Sequence, residues 1–136
     1  MDITQDGFLG GKLLLNQPKV GYRAGIDPVL WAAACPAQPG DHILELGCGV
    51  GIASLCLATR IPGLKLHGVE ILSDYAKLAR TNALQNNCEF EVEIGSVSSR
   101  PTPFYNLQFH HVIMNPPYFA AGSSSASPER GRASGK

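Results

Sequence analysis

The sequence predicts an α/β fold, a Rossmann-like parallel sheet with helices on both faces. Three observations carry this. Short apolar runs of strand length alternate with runs of helix length, the first strand-like run opens into Gly47-Cys48-Gly49-Val50-Gly51, and an acid, Glu70, closes the second. The order β-α-β-α-β-loop-β, with each helix long enough for a crossover, calls for parallel strands joined by right-handed connections.

The elements follow in order. Asp27-Pro28 starts a helix, with Asp as N-cap and Pro at the first helical position, and Cys35-Pro36 ends it. His42–Leu46 reads as a buried strand leading into the glycines. Residues 50–59 are small and apolar, suit a helix packed tightly on a sheet, and are stopped by Ile61-Pro62-Gly63. Residues 64–69 form a second strand. Ser73 is expected to cap a helix with Ala76, Leu78, Ala79 and Ala83 among its apolar positions and Gln85-Asn86-Asn87 at its end. Residues 89–94 alternate apolar and acidic, as a strand with one solvated face would. After a Pro-rich loop around Arg100-Pro101-Thr102-Pro103, a last strand, His111–Met114, runs into Asn115-Pro116-Pro117-Tyr118.

This order divides the chain into an N-terminal extension (1–26), a cofactor-binding core (27–121) and a flexible Gly/Ser-rich tail (122–136). The most apolar of four strands comes last and is left as an unprotected edge. The chain therefore reads as the front part of a larger domain with its C-terminal strands missing, and pairing of a second copy through that strand is expected.

Composition bounds the remaining choices. The chain has 136 residues, one domain's worth, of which 44% are hydrophobic and 16% charged, too apolar for a disordered segment. Eleven basic and eleven acidic residues cancel, so binding of nucleic acid by bulk positive charge is excluded and any such contact must be local. Cys35, Cys48, Cys56 and Cys88 include no Cys-x-x-Cys and no His at ligand spacing, so they read as reduced thiols and no metal is expected. His110-His111 would point to opposite faces of a strand and is read as structural. Residues 1–6 carry neither a basic nor an apolar leader segment, and the longest apolar run, residues 29–35, is far short of the ~20 residues a membrane span requires. A cytoplasmic chain without a membrane segment is expected.

The glycine loop narrows the chemistry. Glycines at a strand-to-helix turn let the chain bend sharply and let a ligand lie against bare backbone. No Gly-Lys-Ser/Thr follows, which disfavours a nucleoside triphosphate. The third glycine arrives one residue too early for the dinucleotide spacing. Glu70, nineteen residues beyond Gly51, is placed to accept hydrogen bonds from both hydroxyls of a ribose. A plain tight turn and a solvated strand end would account for these residues separately. Their order along the chain favours a nucleoside-type cofactor.

Asn115-Pro116-Pro117-Tyr118 follows the fourth strand, which by topology lies next to the first, so one crevice would hold the turn and the glycine loop. Two prolines fix the backbone and supply no N–H, which leaves the Pro116 carbonyl as a free acceptor beside the Asn115 side-chain carbonyl. Two acceptors on one –NH2 concentrate its lone pair for attack. Tyr118 offers a face for a planar substrate. A Pro-Pro strand terminator followed by a core Tyr-Phe pair is the structural alternative.

Glu-Leu-Gly-Cys-Gly-Val-Gly, Glu70 and Asn115-Pro116-Pro117-Tyr118 together resemble the S-adenosylmethionine-dependent class I methyltransferases that act on amines. More narrowly, Lys19-Val20-Gly21-Tyr22-Arg23-Ala24-Gly25-Ile26-Asp27 and Phe119, Gly122, Pro128, Arg130 and Arg132 resemble the bacterial tRNA1(Val) adenine-37 N6-methyltransferase family. The resemblance implies S-adenosyl-L-methionine as cofactor and an adenine N6 in tRNA as acceptor. It implies that Gly47, Gly49 and Gly51 approach the methionine and ribose, that Glu45 orients the ammonium and Glu70 the ribose, and that Asp27 lines the pocket. Asn115 and Pro116 would hold the target amine, with Tyr118 stacked on the base. Where the family presents an Asp to the adenine amine this chain has Ser96, whose hydroxyl can accept one hydrogen bond but carries no charge. Family members continue through three further strands, so the chain is a cut-down piece, a partly recorded protein or a degenerate gene product.

Other functions use the same residues. A protein glutamine N5-methyltransferase would share the Asn-Pro-Pro-Tyr geometry; a small-molecule O-methyltransferase would not need two acceptors; an inactive fragment would only bind cofactor. Arg130, Arg132 and Lys136 against Glu129 give the tail a local +2 charge, fit either for a phosphate contact or for plain solvation.

Overall fold

The computed structural model describes residues 2–19 and 32–114 of the chain. It opens with a hairpin, β1 (Ile3–Phe8) against β2 (Leu13–Pro18), in antiparallel register with Phe8 opposite Leu13 and Asp6 opposite Leu15. The turn uses Leu9, Gly10 and Gly11 at positive φ, and the Gly11 N–H closes it on the Phe8 carbonyl. Sequence reading assigned no element here. Leu13 and Leu15 nonetheless belong to the main hydrophobic core, 1% and 0% exposed.

The Asp27 start of the expected first helix lies outside the described residues. Residues 32–34 are helical, and the helix stops before Cys35-Pro36 as read. Arg60 holds that end, its guanidinium donating to the Ala32 and Cys35 carbonyls.

Four parallel strands follow: β3 (His42–Leu46), β4 (Lys65–Glu70), β5 (Phe90–Ile94) and β6 (His111–Met114), in the spatial order β5-β4-β3-β6. The chain therefore runs outward from β3 to β5 on one side and crosses back to place β6 on the other. In open α/β sheets a reversal of this kind is where ligands bind, at the carboxyl ends of the strands, here β3 and β6. Among the described residues β6 pairs only with β3, and Val112 and Met114 are more than half exposed.

α1 (Ile52–Arg60) links β3 to β4, and α2 (Ser73–Gln85) links β4 to β5. The expectation that Ser73 caps α2 is corrected: Leu72 occupies the N-cap in extended conformation, with no side-chain cap. Its N–H is instead held by Glu70 Oε2 at 3.0 Å, while its carbonyl accepts from Ala76.

α1, α2 and the hairpin share the sheet face carrying Ile43, Leu66, Phe90, Val92 and Ile113. Among the described residues no helix of α type covers the other face. There Leu44 and Val69 pack on Phe104, flanked by Leu46, Leu107 and Phe109. Among the described residues the β5–β6 connection contributes one 3-10 turn to that face, Thr102–Phe104, with Pro101 at its N-cap.

A candidate cofactor site at the carboxyl end of the sheet

Backbone hydrogen bonds set the glycine loop. The Gly47 and Cys48 N–H groups both donate to the Val69 carbonyl, at 2.8 and 3.0 Å, which ties the loop to the end of β4. Gly51 N–H then closes a turn on the Cys48 carbonyl at 2.9 Å. Gly47, Gly49 and Gly51 have φ of 73°, 58° and 96°, the left-handed region that other residues adopt only at a cost.

The three glycines differ in what surrounds them. Among the described residues a Cβ at Gly47 or Gly49 would meet nothing within 4 Å, whereas one at Gly51 would lie 3.1 Å from the Phe90 ring and 3.4 Å from Leu55. Gly47 and Gly49 thus leave open space beside the backbone, where a ligand can approach. Gly51 lets α1 start tight against α2 and β5.

A fourth glycine, missed in the sequence, completes this arrangement. A Cβ at Gly68 would fall 2.8 Å from Cys48 Sγ and 2.9 Å from Phe90. Gly68 stands inside β4, where glycine otherwise only weakens a strand, and its signal is the close approach of a loop from elsewhere in the chain. Cys48 is buried by that packing. Desolvation, reinforced by the Glu45 and Glu70 carboxylates, pushes its thiol well above the ordinary cysteine range, so it is neutral packing and not a nucleophile.

Glu70 ends β4 with its carboxylate turned onto the loop. Oε1 accepts the Gly49 N–H at 2.8 Å and Oε2 the Leu72 N–H at 3.0 Å. A carboxylate offers roughly four lone-pair sites, so two such bonds leave capacity for further donors. Exposed apolar side chains flank it: Ile71 and Leu72 follow in sequence, and Ile94 stands opposite Glu70 in the β4–β5 register. Sequence reading missed this apolar margin, which suits the face of a flat heterocycle.

Glu45 is fully buried, and its Oε1 accepts the Ser54 hydroxyl at 2.6 Å. It therefore braces the start of α1 from beneath the loop. Ser96 is exposed, and its hydroxyl is engaged with the Ser98 hydroxyl and N–H in a tight turn. The turn lies beside the acid, because Gly95 N–H donates to the Glu70 carbonyl.

Asp27, Asn115, Pro116 and Tyr118 lie outside the described residues. The last described residue of β6, Met114, has Leu46 as its register partner, and Leu46 immediately precedes Gly47. Among the described residues no group of three or more His, Cys, Asp or Glu side chains is arranged to hold a metal ion, and no helix is long and apolar enough to cross a membrane.

Residues 15–128 match the family model of the methyltransferase small domain. The chain belongs to this family. tRNA1(Val) (adenine(37)-N6)-methyltransferases of Musicola paradisiaca and Porphyromonas gingivalis are 32% and 34% identical to it over 97% and 87% of its length. Those alignments cover 54% and 49% of the relatives, so the chain spans about half their length. Among solved structures, the tRNA (uracil-54, C5)-methyltransferase of Pyrococcus abyssi in complex with S-adenosyl-L-homocysteine matches with a TM-score of 0.65 at 21% identity, over 86% of this chain and 29% of that one. A predicted O-methyltransferase from Agrobacterium tumefaciens matches with a TM-score of 0.57 at 29% identity, over 68% of this chain and 49% of that one. The class I methyltransferase fold, expected from the motifs, is thereby established for this family member.

Proposed function

We propose that this chain supplies the cofactor-binding part of an S-adenosyl-L-methionine-dependent N-methyltransferase that modifies an adenine N6 in tRNA in the cytoplasm. The observation that carries the reading is the bond from Gly49 N–H to Glu70 Oε1, set beside two glycines whose outer side is open. An open glycine backbone, an acid with spare acceptor capacity and an apolar margin are the groups a nucleoside with a polar tail requires. The residues present fit that cofactor.

Gly47 and Gly49 would let the methionine and ribose lie against the loop, and Gly51 would hold the loop's base in place. Glu70 would accept from the ribose hydroxyls while retaining Gly49. Glu45 would act on the ammonium end through the loop it supports, and Asp27 would line the same pocket. Ile71, Leu72 and Ile94 would flank the adenine, with the Ser96 hydroxyl accepting from its amine.

The bound cofactor supplies an electrophilic methyl on a sulfonium and needs no metal. The chain's part is alignment and electrostatics. The Asn115 and Pro116 carbonyls would hold the two protons of the target amine and offset the positive charge that grows on its nitrogen. Tyr118 would stack on the base. A loop nucleotide is already unpaired, which lowers the cost of drawing it into a pocket. The names of the tRNA1(Val) relatives support tRNA as the acceptor.

The test incubates the protein with methyl-labelled cofactor and either total tRNA or release-factor protein. Label recovered as N6-methyladenosine after nuclease digestion is expected, and Asn115→Ala should remove it while leaving cofactor affinity near wild type. Label in a protein glutamine amide, or in a small-molecule hydroxyl, would overturn the acceptor assignment.

A further inference from the structure

We propose that Asn82 is a positioning residue for the glycine loop, and that through it the hairpin β1–β2 forms part of the support of the cofactor site. The proposal rests on the cofactor reading above and names a residue on which that site depends.

Asn82 lies in α2, fully buried, and uses the whole bonding capacity of its amide. Nδ2 donates to the Val50 carbonyl at 2.9 Å and to the Asn16 carbonyl at 3.1 Å; Oδ1 accepts from the Asn16 backbone N–H at 2.7 Å and from Asn16 Nδ2 at 3.0 Å. Two donors and two lone pairs are all that such a side chain possesses. A buried amide with every valence engaged is a rigid junction, since any rotation leaves a polar group unpaired.

What it joins gives the junction meaning. Val50 stands between Gly49 and Gly51, and its carbonyl shares one planar unit with the Gly51 N–H. In a trans peptide these two groups point in opposite directions. Turning the carbonyl toward Asn82 therefore aims the Gly51 N–H at the Cys48 carbonyl, the bond that closes the loop. Glycine backbone has the greatest conformational freedom, so a loop built on it needs such an external fixture.

On the other side, Asn82 pairs with both backbone groups of Asn16, as an adjoining strand would. One turn later Asn86 repeats the pattern: its Oδ1 accepts the Leu14 N–H at 3.0 Å, and its Nδ2 donates to the Leu14 carbonyl at 2.7 Å. The two asparagines, four residues apart on one helix face, act as a strand for the inner edge of β2. Asn86 Nδ2 also donates to the Asn82 backbone carbonyl at 2.7 Å, but in the described hydrogen bonds only the Asn82 side chain reaches the loop, which makes Asn86 the control for loss of a neighbouring hairpin bond.

The test compares Asn82→Ala with Asn86→Ala by amide hydrogen exchange and by calorimetric titration with S-adenosyl-L-homocysteine. Asn82→Ala is expected to speed exchange of the Gly51 amide at least tenfold in ligand-free protein and to weaken the ligand at least tenfold. Asn86→Ala is expected to speed exchange at Leu14 while leaving both other readouts within twofold. In the wild type, ligand should slow exchange of the Asn16 amide, bonded to Asn82, more than that of Leu14, bonded to Asn86; this readout holds even if Asn82→Ala fails to fold. Equal effects of the two variants on Gly51, or equal protection of Asn16 and Leu14, would overturn the proposal. Failure of the wild type to bind the ligand would instead overturn the cofactor reading, and exchange at Gly51 in the ligand-free variants would still judge the role of Asn82.

Discussion

Glu70 Oε1 and the Gly49 N–H are 2.8 Å apart. The acid of the second core strand thus holds the glycine loop of the first, while its other oxygen holds the start of α2. On the cofactor reading proposed above, ligand contact and loop support would depend on this one carboxylate.

Gly68→Ala should destabilise the fold by about 1–3 kcal/mol, the usual cost of overpacking. The added methyl would sit 2.8 Å from Cys48 Sγ and 2.9 Å from the Phe90 ring. Urea unfolding measures the difference, and a midpoint equal to wild type would refute this packing.

The loop glycines should separate into two classes. Gly47→Ala and Gly49→Ala meet only the left-handed penalty, roughly 1–2 kcal/mol, because among the described residues nothing lies within 4 Å of the new methyl. Both should nevertheless weaken the ligand, since that methyl would occupy the open side. Gly51→Ala adds a 3.1 Å approach to Phe90 and should be the least stable of the three. Denaturant midpoints and ligand titrations for the three variants check the ranking.

The legibility of this protein in its sequence follows from where each signal resides. The parallel order could be read because strand-like runs alternate with helices long enough to cross over, and β6 beside β3 followed from the topology expected of such a sheet. The hairpin escaped because Ile3–Phe8 and Leu13–Pro18 are poor in β-branched residues and their partner is a helix, although Gly10-Gly11 between apolar runs marked the turn. Gly68, Asn16 and Asn82 act on residues distant in the chain, so no local pattern announces them. The motif points to Glu45 as an acid that orients the cofactor's ammonium; what it does not announce is the bond of its Oε1 with the Ser54 hydroxyl, on the β3 face that Glu45 shares with Ile43.

Stability should depend on pH through His67. It is buried on the face opposite α1 and α2, between the Phe104 and Phe109 rings. Burial holds its pKa below the ordinary histidine value, and neighbouring His42 acts the same way, while Glu91 and Glu89 oppose them. The unfolded chain therefore binds the proton more readily than the folded one. The contribution is complete above the unfolded value of about 6.5 and declines as pH falls through it. Asp41 acts lower: the Gln38 N–H holds its carboxyl below the usual value, so its contribution is lost only as pH falls through the acid range. Urea midpoints between pH 7.5 and 5.5 should drop with acid in the wild type and flatten in His67→Gln; parallel profiles would rule out His67 as the source.

Calorimetric titration of S-adenosyl-L-methionine into the wild type and into Glu70→Ala tests the cofactor site most directly. The arrangement of Glu70 and the open glycines predicts one cofactor per chain in the wild type. A loss of roughly 1.5–3 kcal/mol of binding free energy is expected in the variant, the scale of a charged hydrogen-bond partner. A folded Glu70→Ala with an unchanged dissociation constant, or a wild type that binds no cofactor, would contradict it.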